Sequence, residues 1–243
     1  MTPPAVAVLL AGGTGTRMGT ETPKQFLTVA GKALLAHTVD VFEACKDIDR
    51  IRVYLPADHI ATAVDILSRQ DYRKLDHVGV GGTDRAGSVR NALADLVDEP
   101  DDRKILLHDA VRPLVDPETI TRCVELLDRV SALTVAVPST DTVLDVDSTT
   151  SPPTVIDIPD RSRMWRCQTP QGFRLNVLAR AHEAAAADPE FTPTDDGGVV
   201  RRYLPEIPVA VIEGGEFNLK VTHPVDLRFA ESLLRDRTLS CAN

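Results

Sequence analysis

Arg17 and Lys24 stand just beyond a run of glycines and hydroxyls, Ala11-Gly12-Gly13-Thr14-Gly15-Thr16, and this combination suits the binding of a polyphosphate. Glycines let backbone N–H groups approach phosphate oxygens closely, and short side chains leave room for the ligand. The two cations supply charge to neutralise it. An apolar run over residues 5–10 leads into the turn, which places the loop at the end of a buried strand. Two familiar phosphate motifs are excluded by spacing. No glycine pair stands five apart ahead of Lys-Ser/Thr, and counting from Gly13 and Gly15 puts Met18 where a dinucleotide fingerprint needs its third glycine. Taken alone, the loop leaves an ordinary glycine-rich turn as the alternative.

Three further clusters repeat or complement this chemistry. Gly81-Gly82-Thr83-Asp84-Arg85-Ala86-Gly87-Ser88 again follows a strand-like run and precedes a helical one, so backbone donors and a helix N-terminus face the same crevice. There Ser88 can hydrogen-bond a base or ribose, and Arg85 either meets phosphate or braces the loop; a glycine turn capped by Asp84 is the alternative. His108-Asp109-Ala110-Val111-Arg112-Pro113 ends an apolar strand. A carboxylate there can hold Mg²⁺ beside phosphates, directly or through water, and Arg112 can take a phosphate bidentately. His108 reads as a packing histidine rather than a base. The third is spread along the chain: Gln168-Thr169-Pro170-Gln171 follows the hairpin region, Thr194-Asp195-Asp196 lies in a later loop, and Asn218-Leu219-Lys220-Val221-Thr222 comes near the C-terminus.

The elements that must position these residues alternate. Helical periodicity over 34–44 is followed by a strand at 51–55, a helix capped by Asp58 and running to 68, and a strand at 77–80. A helix over 86–96, a strand at 104–108, a helix over 117–130 with proline in its first turn, and a strand at 132–137 continue the pattern. This alternation predicts a doubly wound, mostly parallel α/β sheet with ligands at the carboxyl ends of its strands. The pattern breaks after Pro138. Short β-prone runs at 142–145 and 154–158, separated by polar residues and Pro152-Pro153, predict a protruding β-hairpin arm at about 139–163. The chain returns through 165–173, then a helix at 175–187, a helix capped by Asp195 or Asp196, strands at 209–212 and 219–222, and a last helix from Pro224. With no repeat and no long linker, residues 1–243 read as a single domain.

The composition agrees. The chain is 43% hydrophobic but only 4% aromatic, as buried parallel strands of Val, Ile, Leu and Ala require. Its formal net charge of −9 makes nucleic acid or anionic membrane a poor partner, so an anionic substrate demands a local cluster of cations. Cys45, Cys123, Cys167 and Cys241 are scattered without a C-x-x-C pair, as in a reduced cytoplasmic protein, and no apolar run reaches membrane-spanning length.

In order along nearly the whole chain, A-G-G-T-G-T-R-M…P-K-Q-F-L, G-G-x-x-R-x-x-S-V, H-D-A-V-R-P, D-T at Asp141, D-R at Asp160, Q-T-P-Q, T-D-D and N-L-K-V-T-x-P-x-D-L resemble the CTP-dependent cytidylyltransferases of the methylerythritol phosphate and ribitol phosphate type. The resemblance implies a Rossmann-like nucleotidyltransferase fold and attack by a polyol phosphate oxygen on the α-phosphorus of CTP, with Mg²⁺ accompanying the nucleotide and pyrophosphate leaving. It implies transition-state stabilisation by Arg17 and Lys24, and CTP contacts from Ala11, Gly12, Gly13, Thr14, Gly15, Thr16, Gly82, Asp84 and Ser88. Asp109 falls beside the metal and triphosphate, and Arg161 and Lys220 hold the acceptor phosphate, with Arg112, Thr142, Thr169 and Thr194 as secondary acceptor contacts. The resemblance also implies a homodimer in which the arm, with Arg161 and Thr142, serves the partner's site. Ala11-Gly12-Gly13 and the I-D-I-P-D-R run look closer to the ribitol type; the T-D-D loop and the final V-T-H-P-V-D-L look closer to the methylerythritol type. The expected acceptor is 2-C-methyl-D-erythritol 4-phosphate, serving isoprenoid precursors, with D-ribitol 5-phosphate as the alternative. A UTP- or GTP-dependent enzyme of similar fold, or a glycosyltransferase using Asp145-Val146-Asp147 as a D-x-D motif, is less favoured because that triplet lies in the hairpin. The assembled cations argue against a catalytically silent nucleotide-binding module.

Overall fold

The structure, a computed structural model, describes residues 4–13, 22–188 and 190–240, with side chains as far as 236. Thr14, Gly15, Thr16 and Arg17 of the first loop lie outside the described residues. Strand β1 (Ala5–Leu10) is buried at every position, and its alternating side chains divide the core in two. Ala5, Ala7 and Leu9 pack on one face against α1 (Leu34–Ala44), α2 (Ile60–Ser68) and α4 (Pro117–Leu126). Val6, Val8 and Leu10 pack on the other against α3 (Arg85–Ala94), α5 (Leu175–Ala186) and α6 (Asp196–Tyr203). Each fully buried Val, Leu or Phe contributes roughly 1.5–3 kcal/mol of transfer free energy, so both layers anchor the sheet strongly.

The remaining sheet strands are β4 (Ile48–Leu55), β5 (Leu75–Val80), β6 (Lys104–Asp109), β7 (Ala132–Pro138), β10 (Trp165–Arg174) and β11 (Ala210–Glu213). Their order is β11-β7-β10-β6-β1-β4-β5. All neighbours run parallel except β10, which lies antiparallel between β6 and β7. The doubly wound expectation holds, and this inserted strand is what makes the sheet mixed. A small hairpin, β2 (Thr28–Val29) with β3 (Lys32–Ala33), underlies a third apolar cluster with α7 (Pro224–Ser240). The arm carries the antiparallel pair β8 (Asp145–Asp147) and β9 (Thr154–Asp157), so the Asp145-Val146-Asp147 triplet is an arm strand.

Several sequence expectations are corrected locally. Residues 219–222 form no strand; they are a loop whose Val221 N–H bonds the Val111 carbonyl and whose Val221 side chain is buried under α7. The β-prone composition there serves packing, not pairing. The first arm strand falls at 145–147 rather than 142–145. Asp58 does not cap α2: a 3₁₀ turn, Ala57–His59, intervenes and makes no side-chain cap bond. The fourth helix stops at Leu126 rather than 130. No helix among the described residues is long and apolar enough to cross a membrane.

Candidate active site

Chain direction across the sheet reverses between β1 and β6. From β1 the chain builds outward through β4 and β5, then returns to place β6 on β1's other side. Such a switch point opens a crevice beyond the carboxyl ends of the two strands. Register puts Leu10 opposite Asp109, so the loop leaving β1 and the carboxylate ending β6 meet there. The cleft, of about 280 Å³, is lined by Ala11, Gly12, Gly13, Lys24, Asp84, Ser88, Asp109, Thr194 and Lys220, among others. Larger hollows, of about 370, 660 and 360 Å³, lie beside β11, behind α6 and between α2 and β5, and hold none of the residues expected to contact substrate. Chemistry, not size, distinguishes the site.

Lys24 opens a 3₁₀ turn, Lys24–Phe26, set by Pro23, and is only 7% exposed. Its stem passes close to Gly13, where an added Cβ would lie 3.0 Å from Lys24 Cε. On the opposite wall the Asp84 side chain caps α3, accepting from the Gly87 N–H at 2.6 Å. Ser88 Oγ accepts from the Gly82 N–H at 3.0 Å and donates to the Asp84 carbonyl at 2.9 Å. Gly82 thereby presses against Gly87, and a Cβ on Gly82 would come within 2.4–2.5 Å of that residue's backbone. Its glycine is needed for helix–loop packing.

Asp109 is the electrostatic centre. Oδ1 accepts from Arg85 Nη1 at 2.7 Å; Oδ2 accepts from Arg112 Nε at 3.2 Å and lies 3.0 Å from Lys220 Nζ. Burial by itself pushes this carboxyl's pKa up, but the charges of Arg85, Lys220 and Arg112 outweigh it and hold it far below the usual range. Asp109 is therefore ionised at any physiological pH. Its hard oxygen at the cleft wall suits Mg²⁺, which typically takes one or two carboxylates and completes its shell with phosphate oxygens and water. The described residues contain no group of three or more His, Cys, Asp or Glu placed to hold a metal by themselves.

Several expected acceptor contacts are already engaged within the protein. Arg112 is 9% exposed, and beyond Asp109 its Nη1 donates to the Asn218 carbonyl at 2.8 Å. Its fork therefore braces the site. Thr169, in the bulge of β10 between Gln168 and Gln171, accepts from the Asp109 N–H at 3.1 Å and sits 3.0 Å from His108 Nδ1. His108 Nε2 faces the Arg112 carbonyl at 3.1 Å. A neutral ring protonated on Nε2 satisfies this whole chain. Thr142 and Arg161 are exposed on the arm, away from this cleft's lining, with Arg161 Nη1 donating to the Thr140 carbonyl. Thr194 lines the cleft.

Sequence reasoning named Gln171, Asp196 and Asn218 only as members of motifs, without a role in the site, and passed over His182. Asp195 takes the cap of α6, accepting from the Gly198 N–H, which leaves Asp196 for Arg85. Gln171 accepts from the Asp196 N–H, and the Asn218 amide donates to the Thr169 carbonyl. The signal was present in the motifs around Thr169, Thr194 and Lys220, whose polar residues are too numerous for substrate alone. Of the two roles weighed for Arg85, bracing is the one this geometry displays.

Burial lowers the His108 pKa to about 4, from 6.5 in an open chain. Below 6.5 the unfolded chain takes up a proton that the native ring refuses. The histidine's contribution to stability is thus complete above that value and drains away as the pH falls toward 4. The expected loss is on the order of 3 kcal/mol. Urea unfolding across this window should show it, and His108→Gln should flatten the slope; an unchanged slope would contradict the assignment.

Fold and site together define a nucleotidyltransferase-like α/β protein with a lysine-bearing cleft at the switch point. The profile of the family described as IspD, 2-C-methyl-D-erythritol 4-phosphate cytidylyltransferase, matches residues 5–236. The 2-C-methyl-D-erythritol 4-phosphate cytidylyltransferase of Thermobifida fusca is 49% identical over 234 residues, 96% of this chain and 94% of the relative. A bifunctional ribulose 5-phosphate reductase/CDP-ribitol pyrophosphorylase of Haemophilus influenzae is 38% identical over 96% of this chain but 48% of its own length. The crystal structure of the 4-diphosphocytidyl-2C-methyl-D-erythritol synthase of Anaerococcus prevotii superposes with a TM-score of 0.81 at 29% identity, covering 96% of this chain and 97% of that one. The chain belongs to the 2-C-methyl-D-erythritol 4-phosphate cytidylyltransferase family.

Proposed function

We propose that this chain, acting as one catalytic unit within a cytoplasmic homodimer, transfers the cytidylyl group of CTP to 2-C-methyl-D-erythritol 4-phosphate, releasing pyrophosphate. The carrying observation is the convergence of Lys24, Asp109 and Lys220 on one cleft floored by Ala11, Gly12 and Gly13 at the switch point. An oxygen of the acceptor phosphate attacks the α-phosphorus of CTP, and the bond to the bridging oxygen of pyrophosphate breaks. No covalent enzyme intermediate is needed, so the protein acts by positioning and by stabilising charge.

Residues 11–13, with Gly82, Asp84 and Ser88, form the nucleotide cradle. Lys24, with Arg17, neutralises charge building on the α-phosphate. Lys220, 42% exposed and reaching over the cleft, and an Arg161 supplied by the partner subunit's arm hold the acceptor phosphate in line. Thr194 and Thr142 contact the acceptor, whereas Arg112 and Thr169 act through Asp109. Asp109 would hold Mg²⁺, which would supply further neutralisation of the triphosphate charge. Arm exchange is supported by Val143, Leu144, Val155, Ile156 and Ile158, all exposed apolar residues on a two-stranded hairpin that is marginal by itself. Free thiols at Cys45, Cys123 and Cys167 suit a reducing compartment.

The deciding experiment measures pyrophosphate release from CTP and Mg²⁺ with 2-C-methyl-D-erythritol 4-phosphate and D-ribitol 5-phosphate side by side. Faster turnover of the first is expected. Preference for the second would reassign the acceptor, and turnover of neither would refute the reaction.

A further inference from the structure

Arg85 leaves the N-terminus of α3 and bridges two buried carboxylates. Its Nη1 donates to Asp109 Oδ1 at 2.7 Å, while Nε donates to Asp196 Oδ2 at 3.0 Å and Nη2 lies 2.8 Å from that same oxygen. Asp196 is 1% exposed and is not part of the cleft lining. Its other oxygen lies 3.1 Å from His182 Nε2, and its N–H is fixed by Gln171. Asp196 thus lies outside the cleft lining, yet it accepts the Arg85 Nε hydrogen bond and lies within ion-pair distance of Nη2.

We propose that Asp196 is a positioning residue that draws Arg85 partly away from Asp109 and so sets how firmly the Asp109 carboxylate can hold a divalent cation. The charges within the cluster make the case. Arg85, Arg112 and Lys220 bring three positive charges against Asp109 and Asp196. Without the Asp196 charge, Asp109 alone faces all three, and Arg85 is free to close on it with both arms of its fork. An arriving cation then competes with a fully committed guanidinium and a more positive surrounding. The same pair links α3, which carries the nucleotide wall, to the loop holding Thr194. Substrate subsites from two halves of the sheet thus share one brace.

This inference rests on Asp109 being the carboxylate that meets the cation, and the experiment separates the two. Mn²⁺ affinity is measured by water-proton relaxation in the presence of CTP and without acceptor, alongside the Mg²⁺ concentration for half-maximal turnover. Asp196→Asn should weaken both three- to tenfold while retaining the native fold by circular dichroism. Asp188→Asn, at a carboxylate that pairs with Arg202 and Tyr203 away from Arg85, should give native values. If Asp109→Asn leaves Mn²⁺ affinity native, the metal assignment itself fails. If Asp109→Asn weakens it and Asp196→Asn does not, only the present inference is overturned. Should Asp196→Asn not fold, Arg85→Lys replaces it. A lysine point charge cannot span both carboxylates, so a shift of threefold or more in either direction supports the brace, and native values overturn it.

Discussion

Replacing Lys24 with alanine is expected to cut turnover by about 10²–10³-fold, roughly 2.7–4 kcal/mol of transition-state stabilisation, with a much smaller change in KM for CTP. The magnitude follows from where the side chain lies. Lys24 is 7% exposed, its stem runs against Gly13, and it lines the cleft with Asp109 and Lys220. An ammonium held there by a proline-led turn needs no reorganisation as negative charge accumulates on the α-phosphate, and the low local dielectric strengthens its field. Ground-state binding changes less because backbone donors of the glycine loop also hold the nucleotide. Lys32→Ala is the control: that lysine pairs with Asp40 at the surface and should leave turnover unaltered. Steady-state pyrophosphate release decides the matter; a Lys24→Ala enzyme within threefold of wild type would remove Lys24 from the mechanism.

Two inactive variants are expected to restore each other. If Arg161 completes the partner's site, a purified mixed dimer of Lys24→Ala and Arg161→Ala subunits carries one doubly damaged site and one intact site. Its activity should then reach about half that of the wild-type dimer. Arg161 sits in the arm on the 3₁₀ turn Arg161–Arg163, and its guanidinium donates to the Thr140 carbonyl at the arm's root. It is absent from the lining of its own cleft, whereas the arm's apolar residues stand in solvent, with Ile156 64% exposed. Differently tagged subunits, co-expressed and purified through both tags, supply the mixed dimer. If the arm instead serves its own subunit, each site keeps one lesion and the mixed dimer stays as inactive as its parents.

Local chemistry in the chain determined a good deal. The helix at 34–44 was legible to the residue because its apolar spacing is uninterrupted. The glycine turns after β1 and β5 and the carboxylate ending β6 were legible because strand, turn and helix signals follow one another within a few residues. That Lys24 and Lys220 face one cleft was legible from motif order. Tertiary structure alone decided that β10 runs antiparallel between β6 and β7, since a strand's direction depends on partners distant in sequence. It turned residues 219–222 from an expected strand into a loop held to Val111. It also decided what Arg112, Thr169 and Arg85 do: Arg112 is committed to Asp109 and to Asn218, 106 residues on, and Arg85 to Asp196, 111 residues on. Residue type shows that a guanidinium will seek an anion. Which anion it reaches is set by the packing of the whole sheet, because a buried charge must find its partner wherever the fold delivers one.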